Sequence, residues 1–159
     1  MISARRLGPE DWEIWRGLRL RALDQAPEAF GTTLEEAVGA DSPSHWRAAL
    51  EGAMTGFVVE DDGVPAAIGR LLIEVDPDAP VELISVWVDP AHRGRGLGRA
   101  LIAAALDHLA ARRPGTRLRL AVVETNAPAR RLYESCGFAV IGPNPEDDAE
   151  LLMEHAGAR

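Results

Sequence analysis

Three arginines and three glycines fall within seven consecutive positions of this 159-residue chain: Arg93, Gly94, Arg95, Gly96, Gly98 and Arg99. They follow an apolar run ending in Val86-Trp87-Val88 and a break at Asp89-Pro90, and they lead into Arg99-Ala100-Leu101-Ile102-Ala103-Ala104-Ala105-Leu106. The pattern predicts strand, turn, helix. Pro90 has no N–H and cannot extend a sheet ladder, so the strand should stop at Val88 or Asp89. Glycine removes the Cβ atoms that would hold a ligand away from the backbone. The free N–H groups of a helix start carry partial positive charge, which suits a phosphate or pyrophosphate. No acid lies between Asp89 and Asp107 to offset the arginines. The chemistry is that of an anion site.

Two common anion sites are excluded. A P-loop needs Gly-x4-Gly-Lys-Ser/Thr, and the chain has no lysine. A dinucleotide fingerprint needs G-x-G-x-x-G, whereas the glycines here alternate as G-x-G-x-G. What fits is Arg-x-x-Gly-x-Gly, on Arg93, Gly96 and Gly98. About thirty residues downstream runs Asn126-Ala127-Pro128-Ala129-Arg130-Arg131-Leu132-Tyr133-Glu134-Ser135-Cys136-Gly137-Phe138. Its layout is a strand end, an Asn, a short amphipathic helix carrying a tyrosine, then Gly-Phe into a further strand.

Together the two segments resemble the GCN5-related N-acetyltransferases. The first resembles their coenzyme A pyrophosphate loop. The second matches every fixed position of their N-x-x-A-x-x-L-Y-x-x-x-G-F segment. The resemblance is strong over residues 81–141 and implies an α/β (α+β) single-domain fold. Its mixed central sheet splays open between the fourth and fifth strands, with helices on both faces.

Acetyl-CoA is the implied co-substrate. Its pantetheine arm would pair with backbone groups of Val86 and Val88, its pyrophosphate would lie on Arg93–Gly98 with Arg99 beside it, and Asn126 would bond the arm at the rim. The implied reaction is direct attack of a primary amine on the thioester in a ternary complex. The attacking amine must be neutral, the developing oxyanion stabilised and the departing thiolate protonated. Tyr133 is placed as general acid and the backbone N–H near Val86 as oxyanion donor. Glu82, early in the same strand, is the candidate base, though the family also uses ordered water in that role. By period-2 alternation Glu82 should share a face with Ile84, Val86 and Val88. Cys136 reads as a small half-buried side chain before a glycine cap. The four histidines lack ligand-like spacing, so no metal is proposed.

The rest of the chain must position these groups. Its length suits one domain over residues 1–159, and 47% hydrophobic with 26% charged residues is ordinary for a globular protein. No apolar run reaches the ~20 residues of a membrane span, the N-terminus lacks a signal-peptide core, and one cysteine cannot form an internal disulfide. These features predict a cytoplasmic protein with no membrane partner. Residues 93–141 carry a net charge of +6 within a chain of net −8. An acidic protein is a poor candidate for nucleic-acid binding.

Strands are predicted at 2–6, 55–60, 64–75, 81–88, 118–124, 138–141 and 150–155, with Asp61-Asp62-Gly63 as a hairpin turn and Gly69 as a bulge or soft point. Helices are predicted from Pro9 to about Asp24 with a stripe of Trp12, Trp15, Leu18, Leu20 and Leu23, then at 34–38, 44–51, 97–113 and 127–136. Residues 142–148 read as a loop. By the resemblance, residues 8–52 and 142–150 wall the acceptor site, offering Trp12, Phe30, Glu35, Glu36, Trp46 and Glu146-Asp147-Asp148. Those acids favour a small cationic amine as acceptor. The alternatives are a protein N-terminal or lysine amine, or a non-catalytic coenzyme A sensor. A homodimer is compatible with the family. The stretch Arg21-Ala22-Leu23 through Pro27-Glu28-Ala29-Phe30-Gly31 resembles a group of small bacterial members whose acceptors are mostly unassigned.

Overall fold

The computed structural model describes residues 1–27 and 30–157. Glu28 and Ala29, part of the stretch compared with the small bacterial members, lie outside the described residues. Strand β1 (Ile2–Leu7) leads through a 3-10 turn at Pro9–Asp11 into helix α1 (Trp12–Gln25), followed by α2 (Leu34–Gly39) and α3 (Pro43–Ala48). Strands β2 (Met54–Asp61), β3 (Val64–Leu72) and β4 (Val81–Val88) form an antiparallel meander. Helix α4 (Leu97–Arg112), β5 (Leu118–Val123), α5 (Ala127–Ser135), β6 (Ala139–Asn144) and β7 (Asp147–His155) complete the chain. The seven strands make one sheet in the order β1-β2-β3-β4-β5-β7-β6. Only β4 and β5 run parallel among the pairs described.

Local chemistry explains most boundaries. Asp62 and Gly63 both have positive φ, +50° and +83°, as a two-residue primed hairpin turn requires. Ser42 and Thr33 cap α3 and α2 by accepting from the backbone N–H of His45 and Glu36. Helix α3 ends sooner than Glu51 because Leu50 and Glu51 bond back to Arg47 and Ala48, a tightened turn before Gly52 at φ +62°. Among the described residues no helix is long and apolar enough to cross a membrane.

The sheet separates two apolar cores. Leu97, Leu101, Ile102, Ala105 and Leu109 of α4 pack on one face, with Tyr133 of α5 in the same cluster. Trp15, Leu18, Ala22 and Leu23 of α1 pack on the other, with Trp46 of α3. Helices therefore cover both faces of a mixed sheet, as expected.

Three expectations need correction. The stretch 142–148 is mostly strand: β6 reaches Asn144, β7 begins at Asp147, and Pro145-Glu146 make a tight turn between them. Pro143 is tolerated because β6 is the outer strand, where a missing N–H breaks no ladder bond. Strand β3 stops at Leu72 rather than Val75, which is fully exposed beyond it. The irregularity expected at Gly69 belongs to β4. Ile68 pairs Trp87 and Arg70 pairs Ile84, so Ser85 and Val86 together stand opposite the single residue Gly69. Gly69 instead makes room for α4, since a Cβ there would lie 3.0 Å from Leu101 Cδ2.

Candidate active site

The β4 bulge builds the site. Ser85 adopts φ +59°, a left-handed conformation that costs a non-glycine residue about 1–2 kcal/mol. The extra residue reverses the alternation along the strand. Glu82 and Ile84 pair with Leu72 and Arg70, and Trp87 pairs with Ile68, so these three face α1 and α3. Val88 pairs with Ala67, and both Val86 and Val88 pack toward α4. The expected common face of Glu82, Val86 and Val88 does not exist.

Beside the bulge the sheet opens. Strand β5 pairs with β4 only at Leu118 and Arg119, opposite Val81 and Glu82, and then follows β7 over its whole length. From Leu83 onward β4 has no strand partner on that side among the described residues. The result is a cleft of about 610 Å³ lined by Glu82–Val86 on one side and Arg119–Val123 on the other. Asn126 and Tyr133 line it from α5, Phe30 and Gly31 from beyond α1, and Asn144, Pro145 and Glu146 from the β6–β7 turn.

Tyr133 is 8% exposed and packs edge-to-face on Phe138 at 5.9 Å. Burial, with a smaller contribution from the charge of Cys136, pushes its phenol up to about 12. The ring therefore holds its proton throughout the neutral range. No hydrogen bond to its hydroxyl occurs among the described residues. Asn126 caps α5, its Oδ1 accepting from Ala129 N at 3.3 Å, which leaves its amide NH₂ available to the cleft. Glu82 is exposed and lines the cleft with no ion pair among the described residues.

The arginine–glycine loop lies outside the described cleft lining, beyond the end of β4. Asp89 ends the strand by accepting from Ala91 N at 3.0 Å and pairing with Arg21. Burial would raise its carboxyl, but those two donors hold it below the usual range. Gly94 and Gly96 have φ of +78° and +89°, and Gly96 is the N-cap of α4. A Cβ at either would meet open space, so glycine serves the backbone conformation there. Gly98 has a different role, because a Cβ there would sit 2.7 Å from Leu132 Cδ2 of α5.

The loop arginines also have partners that sequence distance concealed. Arg95 Nε reaches Asp61 Oδ2 at 3.1 Å, and His92 Nδ1 lies 3.0 Å from the same oxygen of this buried carboxylate. Arg93 Nε donates to the Val88 carbonyl at 3.1 Å, one of the backbone groups expected to face the pantetheine arm. Arg99 donates to Ser135 Oγ at 2.8 Å, joining α4 to the end of α5.

Residues 15–138 match the acetyltransferase (GNAT) family. The chain belongs to the GNAT acetyltransferases. Over 127 residues, 80% of the chain, it is 37% identical to the mycothiol acetyltransferase of Beutenbergia cavernae, but that match spans only 41% of the relative's length. A GNAT acetyltransferase structure from Streptococcus pneumoniae aligns with a TM-score of 0.77 at 18% identity, covering 97% of this chain and 98% of that one. The PaiA N-acetyltransferase of Thermoplasma acidophilum, solved with coenzyme A, aligns at 0.74 and 18% identity, covering 98% and 99%. These two likenesses support the GNAT fold.

The residues expected to wall an acceptor site divide. Phe30 and Glu146 line the cleft, whereas Trp46 is a core residue bonded to Asp41, and Glu35 and Glu36 are exposed on α2. Two residues were missed. Arg19, buried, and Arg70, half-buried, lie side by side on a second cavity of about 300 Å³. Their signal was available. Trp15, Leu18, Arg19, Ala22 and Leu23 form the buried stripe of α1 at i, i+3, i+4, i+7 and i+8, so Arg19 occupies a core position that the reading gave to Leu20. Arg70 is the one charged residue in the apolar strand β3.

Proposed function

We propose that this chain transfers the acetyl group of acetyl-CoA directly to the primary amine of a small acceptor, both held at once in the cleft between β4 and β5. The observation that carries this reading is the parting of two parallel strands beside a buried, protonated tyrosine. The unpaired edge of β4 offers backbone donors and acceptors suited to the amides of a pantetheine arm. The positive-φ turn before α4 has open space beside Gly94 and Gly96 and precedes a helix start, whose unpaired N–H groups suit a pyrophosphate. Acetyl-CoA is the family's donor and supplies the activated thioester.

In this reading Val86, Val88 and Asn126 hold the arm, while Arg93, Gly94, Arg95, Gly96, Gly98 and Arg99 form the loop for the pyrophosphate. Arg93 and Arg95 share their guanidinium donors between that anion and the Val88 and Asp61 oxygens. The Val86 N–H faces the developing oxyanion, and Tyr133 gives its proton to the departing sulfur. Glu82 takes the proton of the incoming ammonium, directly or through water. Phe30 and the β6–β7 turn both line the cleft, which favours a small acceptor over an extended peptide. Glu82, Glu146 and Glu150 all line it and suit the ammonium of a cationic amine.

A thiol-release screen with acetyl-CoA against amines, polyamines, aminoglycosides, amino acids and peptides tests the reading. Acetylation of a small primary amine, abolished or reduced at least ~100-fold in Tyr133→Phe, is the expected result. Exclusive acetylation of peptides would overturn the small-acceptor assignment. Binding of acetyl-CoA with no transfer to any amine would point to a sensor.

A further inference from the structure

Arg19 is 9% exposed, lies on the boundary of both the main cleft and a second cavity of about 300 Å³, and has a buried Nη1 with no hydrogen-bond partner. Its guanidinium stacks over Phe30 at 4.6 Å, which supports its plane and leaves its edges to find acceptors. Arg70 sits beside it, stacked over Trp15 at 5.0 Å, and donates from Nε and Nη2 to Ser85 Oγ at 3.3 and 3.0 Å and from Nη1 to the Ala49 carbonyl at 3.2 Å. Neither arginine has a carboxylate partner among the described residues. Arg119, the other arginine on the cleft, is already paired with Glu154 at 2.8 Å. A buried cation beside a half-buried one, with no counter-charge among the described residues, opposes folding unless something anionic joins them.

We infer that the acceptor supplies that anion: the substrate is a small amino acid whose carboxylate is bound by Arg19 and the Ser85 hydroxyl, with its amine turned toward Glu82. The assignment rests on the acetyl-transfer reading above. Ser85 accepts two bonds from Arg70, so its own O–H is free to donate, and Ser85 lines the cleft. Arg70 acts through Ser85 and is a positioning residue. The register and the cleft bring the two ends together. Arg70 stands opposite Ile84 and Leu72 opposite Glu82, so Arg70 and Glu82 are diagonal neighbours on one face of the sheet. Arg19, Ser85 and Glu82 all line the same cleft, so donors for a carboxylate and an acceptor for an ammonium open on one space. The acids on the cleft are complementary to this arrangement, since they meet the ammonium while Arg19 and Ser85 meet the carboxylate. A polyamine would satisfy Glu82, Glu146 and Glu150 but bring a further cation against Arg19.

The test compares, by thiol release with acetyl-CoA, the common L-amino acids with their primary amides and with the matching decarboxylated amines. Acetyl-CoA binding is measured separately by thermal shift. The expected result is a kcat/KM for at least one amino acid about 10–100-fold above that of its amide and amine. Arg19→Gln should raise KM for the acid by a similar factor, leave the amide's KM nearly unchanged, and leave the melting temperature equal or higher, because an uncompensated buried charge has been removed. Arg70→Gln should raise KM for the acid more than for the amide, a split that a purely structural role would not produce. Equal rates for acid and amide, or a preference for diamines, overturn the inference while leaving the acetyltransferase reading intact. So does acetyl-CoA binding with no acetylation of any amino acid. Failure of acetyl-CoA itself to bind overturns both.

Discussion

Tyr133 is the residue whose environment says most about its chemistry. Burial moves its phenol from the ordinary value of 10.0 to about 12. It is the only tyrosine in the chain, so tyrosinate absorbance titrates this one group. The midpoint should lie near 12 in the native protein and return to about 10 in denaturant. Between those values the unfolded chain has released a proton that the native state retains, so stability falls as pH rises through this window. Tyr133→Phe should flatten that fall, keep acetyl-CoA binding and lower turnover by roughly 10²–10⁴. Unchanged turnover with weakened acetyl-CoA binding would make Tyr133 a binding residue and leave water as the acid. Glu82→Gln should lower the rate most near neutral pH, with the loss shrinking toward the amine's own pKa, where free amine needs no base. A loss independent of pH would assign Glu82 a structural role.

At the scale of elements, the order strand, turn, helix around Arg93–Arg99 was legible because Pro90 and the glycines restrict the backbone there. The ends of α5 were legible for the same kind of reason: Asn126 caps its start and Gly137, at φ +97°, follows its end. The bulge was not legible. Bulges are usually betrayed by glycine, and here the left-handed residue is Ser85, so the softness was assigned to Gly69 on the neighbouring strand. With the bulge misplaced, period-2 alternation put Glu82 on the wrong face. The short β6–β7 turn was hidden by prolines that an outer strand tolerates. Gly96→Ala tests the loop as an element. It forces a Cβ into φ +89° with free space around it, so the cost is conformational, about 1–2 kcal/mol of stability. Calorimetry should show weaker acetyl-CoA binding as well. Lost stability with full affinity would mean that the turn does not hold the donor.

Across the whole molecule, the division of charge seen in the sequence is partly offset by folding. Asp61, remote in sequence, meets Arg95 and His92, and Arg99 is tied to α5, so the loop arginines stay exposed while part of their charge and donors is already engaged. The cations inferred to serve the acceptor lie elsewhere, Arg19 on α1 and Arg70 on β3. They escape a pattern that follows the apolar stripe, because a charge at a core position interrupts it. The absence of lysine has its own consequence. Only the α-amino terminus can be stably N-acetylated, so intact-mass analysis after long incubation with acetyl-CoA should show at most one addition. Two or more additions would implicate a labile acyl group, with Cys136 as the candidate. The central claim, that the parted strands and the glycine turn hold acetyl-CoA, is tested most directly by thermal unfolding with added ligand. Acetyl-CoA at 100 times its Kd should stabilise the protein by ~2.7 kcal/mol, ATP should leave Tm unchanged, and Gly96→Glu should abolish the shift by setting an anion against the pyrophosphate. A shift with ATP and none with acetyl-CoA would contradict the account.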